Sequence, residues 1–140
     1  MKTINKILLL SFLFWIPLSC GKNDPSADDI FVGKLSVKTW TISVASLDNQ
    51  DVTAVFPNLK LNFTPAKTYT TTGAVPPVWK ETGSFTISGT SPNYHLIRDE
   101  GIDVTVVESD TKLVLEFQYD KKLAGGKVNS VSGKYHFEFN

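Results

Sequence analysis

The feature that most constrains this chain is an alternation of apolar and polar residues with a period of two. Trp40, Ile42 and Val44 alternate with Thr39, Thr41 and Ser43, and Leu59, Leu61 and Phe63 with Lys60, Asn62 and Thr64. Leu113, Leu115, Phe117 and Tyr119 alternate with Lys112, Glu116 and Gln118, with Val114 breaking the polar side. Tyr135, Phe137 and Phe139 alternate with Lys134, His136 and Glu138. Successive side chains of a strand point to opposite faces, so each run predicts a strand with one wet and one buried face.

Between these runs lie 68–72, 83–88, 94–97 and 102–107, all rich in β-branched or aromatic residues that suit a pleated surface. Turn-forming residues separate them at 47–50, 64–66, 89–93, 99–101 and 125–126. About eight short strands at hairpin spacing, with no long helix, predict an all-β fold: a small antiparallel eight-stranded barrel, whose closure removes exposed edges. An open sandwich is the competing architecture. Ser26-Ala27-Asp28-Asp29 has the form of a capping box and predicts a short N-terminal helix through Ile30 and Phe31, ending near Gly33.

The first residues predict processing rather than fold. Lys2 and Lys6 precede an apolar run from Ile7 to Leu18, followed by Ser19-Cys20-Gly21. That is the order of a secretory signal, and the run falls short of the ~20 residues a spanning helix needs. The cut site resembles the lipobox of bacterial lipoproteins, with small Ser19 before an obligatory cysteine, although Pro17 stands where a leucine is usual. An ordinary signal peptide would leave Cys20, the chain's only cysteine, as a reactive thiol. Lipidation gives it a role. The expected division is therefore 1–19 signal peptide, 20–34 lipidated cysteine, tether and short helix, and 35–140 barrel domain. The expected location is the bacterial cell envelope, as an outer-membrane lipoprotein on either side. Asp24, Asp28 and Asp29 resemble, in scattered form, an acidic signal for surface export.

From Cys20 onward 121 residues remain, enough for one domain with its own core. Without Lys2 and Lys6, twelve basic side chains face fourteen acidic ones. That balance argues against nucleic acid as a partner, which calls for a basic stripe. One cysteine permits no internal disulfide, so apolar burial must hold the fold.

Leu35, then Trp40, Asp51-Val52-Thr53, the strand Leu59 to Phe63, Tyr69 to Gly73, Trp79, Gly83-Ser84-Phe85 and Leu113 to Phe117 together resemble the lipocalin-like lipoprotein domains of Bacteroidetes. The likeness spans most of residues 31–119. It implies an eight-stranded barrel without assigning a ligand. Lys38 stands where true lipocalins carry a glycine before the tryptophan, and no arginine follows on the last strand to stack on Trp40, leaving Lys134 as a weak substitute.

A barrel of this size is either filled by its own side chains or wide enough for one small ligand. The candidate interior is Trp40, Phe63, Tyr69, Phe85, Phe117 and Tyr135, with Leu115 and Phe137. The same residues serve as plain core or as an apolar pocket for a small hydrophobic ligand. Trp79, at the end of Ala74-Val75-Pro76-Pro77-Val78-Trp79, is a candidate lid, a candidate anchor for an envelope protein partner, or a residue tucked back into the core. Loop 120–132 is polar and carries no assignment.

Chemistry is sparse. His95 and His136 are far apart and expected outward, so neither metal nor cofactor is predicted. Asp48-Asn49-Gln50-Asp51 lacks the spacing of a calcium loop and reads as a turn. Arg98-Asp99-Glu100 before Gly101 reads as a solvated hairpin turn. There is no Gly-x-Ser-x-Gly, His-Glu-x-x-His or phosphate-binding glycine loop, and the chain is not expected to be an enzyme.

Overall fold

The computed structural model of the chain describes residues 24–120 and 131–140. The signal, Cys20 and most of the polar loop after Asp120 lie outside the described residues. The expected capping box forms. The Ser26 hydroxyl accepts from the Asp29 amide at 3.1 Å, and the Asp29 carboxylate accepts from the Ser26 amide at 3.2 Å. These bonds to Ser26 hold the Asp29 pKa below its ordinary value. They start helix α1, Ala27–Leu35, two residues longer than the sequence predicts because Gly33 does not break it and Ser36 supplies the cap. Phe31, Val32 and Leu35 are buried, each worth roughly 1.5–3 kcal/mol.

The strands are β1 (Trp40–Leu47), β2 (Gln50–Asp51), β3 (Lys60–Phe63), β4 (Thr68–Thr72), β5 (Thr82–Thr90), β6 (Asn93–Arg98), β7 (Asp103–Glu108), β8 (Leu113–Tyr119) and β9 (Gly133–Phe139). Each pairs antiparallel with its neighbour, and β1 pairs with both β3 and β9. That last pairing closes eight strands into a barrel and excludes the open sandwich. The two-residue β2 only extends β1, through a tight turn at Asp48 and Asn49, both with positive φ. Asp and Asn tolerate that left-handed geometry, which is why this turn is made here.

One expected strand face is corrected. Val44 is 40% exposed, while Ala45 is fully buried. The ladder to β9 shifts between Ile42 and Val44. An extra residue in one strand flips the side-chain phase beyond it, so the inward set continues as Trp40, then Ala45.

Antiparallel winding sorts the turns between two ends. The β3–β4, β5–β6 and β7–β8 turns share one end with α1. There Phe31 stacks on Tyr94 at 4.0 Å between ring centroids, and the Trp40 indole donates to the Leu35 carbonyl at 2.8 Å. The other end carries loop 73–81, the β6–β7 turn and a single 3-10 turn at Thr53–Val55. Phe56 follows that turn into the core, its ring 4.9 Å from that of Phe137. Both ends are therefore covered.

Candidate functional site in the barrel interior

Loop 73–81 leaves β4 at Gly73, whose φ is +67° and whose missing Cβ would lie 2.5 Å from the Asn58 carbonyl oxygen. The chain then doubles back, with Val75 and Trp79 bridged and the Trp79 amide donating to the Val75 carbonyl at 3.1 Å. That turn drives Val78 and Trp79 inward, each 1% exposed. Trp79 neither lids a cavity nor faces solvent. Its indole plugs the interior, with ring centroids 5.7 Å from Tyr69, 5.6 Å from Phe117 and 6.3 Å from Phe137.

The rings form a continuous path. Phe85 meets Phe63 at 5.7 Å, Phe63 meets Tyr69 at 6.5 Å, and beyond Trp79 the Phe117 ring stacks on Tyr135 at 5.3 Å. Thus Phe63, Tyr69, Trp79, Phe85, Phe117 and Tyr135 come together, all buried. Trp40 is buried too, but at the α1 end. Lys38, not Lys134, supplies its cation, with Nζ 4.2 Å from the ring centroid. Lys134 points outward to Glu116 at 3.1 Å. Lys38 is next but one to Trp40 on the approach to β1, and so can fold over the ring face from its own strand.

The residue that sequence reasoning misplaced is Arg98. It ends β6 and is 2% exposed, not solvated. The alternation Tyr94, Leu96, Arg98 is itself the signal, because all three share the inward face. Its guanidinium carbon stands 4.3 Å from the Trp79 centroid and 6.0 Å from that of Phe117. One terminal nitrogen donates to the Val78 carbonyl at 3.0 Å, and the other pairs with Glu100. Lys80 joins Glu100 at 3.4 Å and Asp99 at 3.3 Å. Arg98 therefore clamps the plug loop to the β6–β7 turn by charge, backbone and ring face together.

Four buried polar atoms have no hydrogen-bond partner among the described residues: Thr71 Oγ1 on β4 and, at the clamp, the Tyr69 hydroxyl, Trp79 Nε1 and Arg98 Nε. Burial pushes the Tyr69 hydroxyl pKa up, with the Arg98 charge pulling the other way. The Tyr69 hydroxyl lies against Gly83, where a Cβ would approach it to 2.5 Å. Phe56, absent from the expected site, also reaches the cluster, 6.3 Å from Tyr135. It sits between strands in a segment without periodicity, so no sequence pattern marks it.

The histidines serve the barrel's outer surface. His95 Nδ1 is 2.7 Å from Asp103, and His136 lies between Glu116 at 2.9 Å and Glu138 at 3.1 Å. No family model matches this chain, and no curated protein does.

Proposed function

We propose that this chain is an exported lipoprotein, anchored through Cys20 in the outer membrane, whose barrel binds a small and largely apolar ligand where the Trp79 indole sits. The reading treats it as a carrier or receptor module without catalysis, and not as a nucleic-acid binder. One observation carries it: three buried polar atoms without a hydrogen-bond partner, the Tyr69 hydroxyl, Trp79 Nε1 and Arg98 Nε, belong to side chains in contact at the Trp79 indole. An unpaired buried polar group costs about 1–3 kcal/mol, so a filled core has little reason to gather three of them. A ligand with an apolar body and a polar tip would satisfy them while replacing the ring contacts of Trp79.

The second reading is a filled barrel that serves as an interaction lipoprotein for other envelope proteins. It is favoured by the unbroken path of ring contacts and by the cover at both ends. Native mass spectrometry of the domain from Gly21 to Asn140, after incubation with a bacterial lipid extract, separates the two. A retained small molecule, lost on Arg98→Gln, is the expected result. If neither the wild-type domain nor Trp79→Ala retains any species, ligand binding is wrong and the filled barrel stands. Cross-linking in cells, with recovery of a discrete protein, then identifies the envelope partner. Cys20→Ala tests the anchor separately and should move the protein to the soluble fraction.

A further inference from the structure

We infer that the α1 end of the barrel rests on the lipid bilayer, with Ile30, Val37 and Val107 meeting the membrane interface. The inference concerns a surface remote from the Trp79 plug and rests on the proposed anchor at Cys20. Five large apolar side chains are exposed among the described residues. Three of them, Ile30 at 52%, Val37 at 73% and Val107 at 62%, belong to this end. Ile30 is on α1, Val37 follows it, and Val107 is the penultimate residue of β7, whose last residue Glu108 pairs with Lys34 of α1 at 3.4 Å. Beside Ile30 lies a groove of about 310 Å³ whose lining includes Ala27, Phe31, Tyr94 and Val106 together with the charged Lys34 and Glu108.

The bilayer is the occupant because of where the tether ends. The chain reaches α1 from Cys20 through Gly21 to Pro25, and Ala27, the first residue of the helix, already lines the groove. A flexible five-residue coil spans only about 12 Å, so the face next to α1 is held within reach of the interface. Monotopic faces bury their apolar groups ~5–10 Å into the headgroup boundary while basic chains extend to the headgroups. Lys34, with a side chain 54% exposed, is the basic chain at this face, paired here with Glu108. Asp24 precedes α1, and Asp28 and Asp29 stand in its first turn, between the tether and Ile30. Val55, also exposed, lies at the opposite end and gives an internal control.

The chain has one cysteine, Cys20, so when that residue is acylated an introduced thiol is a unique labelling site. The test uses the full lipidated protein in vesicles containing nitroxide-labelled phospholipid, with a fluorophore on Val107→Cys, Val37→Cys or Val55→Cys. Quenching about threefold or more stronger at positions 37 and 107 than at 55 is expected, as for groups that enter the interface. Adding Ile30→Asp should lower quenching at 107 while the protein still floats with the vesicles. Equal quenching at both ends, or stronger quenching at 55, overturns the inference. If Cys20→Ala does not release the protein, the anchor reading fails by itself. The orientation is then read on a domain held to nickel-chelating lipid by a hexahistidine tag replacing residues 1–20, with the same outcomes deciding it.

Discussion

At the residue scale the interior turns on Arg98 and Trp79. A buried guanidinium is tolerable only while its partners remain, so Arg98→Ala leaves the Val78 carbonyl without its donor and Glu100 with Lys80 alone. It should cost about 3 kcal/mol or more, read as a lower denaturant midpoint. Arg98→Met keeps the packing against Trp79 and should cost less than the alanine variant; equal losses would mean that the packing contributes little. Trp79→Ala removes the plug and should cost about 3–5 kcal/mol as a cavity. Added indole should restore part of that loss in a thermal melt, whereas it does nothing for the wild type.

His136 gives a pH prediction at the same scale. Burial opposes its charge, but the carboxylates of Glu116 and Glu138 on its two ring nitrogens outweigh burial and raise its pKa above 6.5. A raised folded value means that the contribution is complete below the unfolded pKa and is lost as pH rises through the folded one. Hydrogen bonds, led by that from His136 for Glu116 and by that from Lys112 for Glu138, lower both carboxylate pKa values. Their contribution disappears as pH falls through those lowered values. His136→Gln should therefore flatten the decline in stability above about pH 6.5 by roughly 0.5 kcal/mol, a solvent-screened amount for a half-buried pair.

Elements depend on local chemistry that can be broken singly. Ser26 starts α1, so Ser26→Ala should cost about 1 kcal/mol, and the loss should appear as faster amide exchange at the helix N-terminus. Gly73 starts the plug loop in a left-handed conformation against Asn58. Gly73→Ala meets both the φ penalty and the Asn58 backbone, so it should cost about 2 kcal/mol or more and raise the exposure of Trp79 in fluorescence. The strands themselves were legible, because period-two alternation survives any tertiary context that keeps one face wet. The β1 bulge was not. Nothing in Ile42-Ser43-Val44 marks a phase flip that arises from pairing one strand with both β3 and β9. Loop 73–81 was legible as unusual, from its two prolines and its apolar end, but its direction depends on what is available to bury it.

For the whole molecule, closure is the cooperative event. β1 and β9 stand at opposite ends of the described chain, yet their pairing joins the barrel. Residues 133–139 supply Tyr135, Phe137 and Phe139 to the core along with that edge. Truncation after Asp120 should abolish cooperative unfolding rather than merely lower its midpoint, since two long strand edges would be left unpaired. A truncated chain with a sharp melt would show that the open sheet is self-sufficient.

The sequence by itself determined the class, the strand count and the helix start, because alternation, turn residues and capping act within a few positions. Inward phase along each strand also pointed to Trp40, Phe63, Tyr69, Phe85, Phe117, Tyr135 and Phe137, since it follows from neighbours alone, whereas Phe56 carried no such signal. Only the tertiary structure decided that Trp79 enters the barrel and that Arg98 follows it. A charge at the end of a strand prefers water unless a ring face, a carbonyl and a carboxylate meet it together, and those come from loop 73–81 and the β6–β7 turn. The tertiary structure also put Lys38 over Trp40 and gathered Ile30, Val37 and Val107 at the end where the tether begins. Segments distant in sequence become neighbours only once the barrel closes.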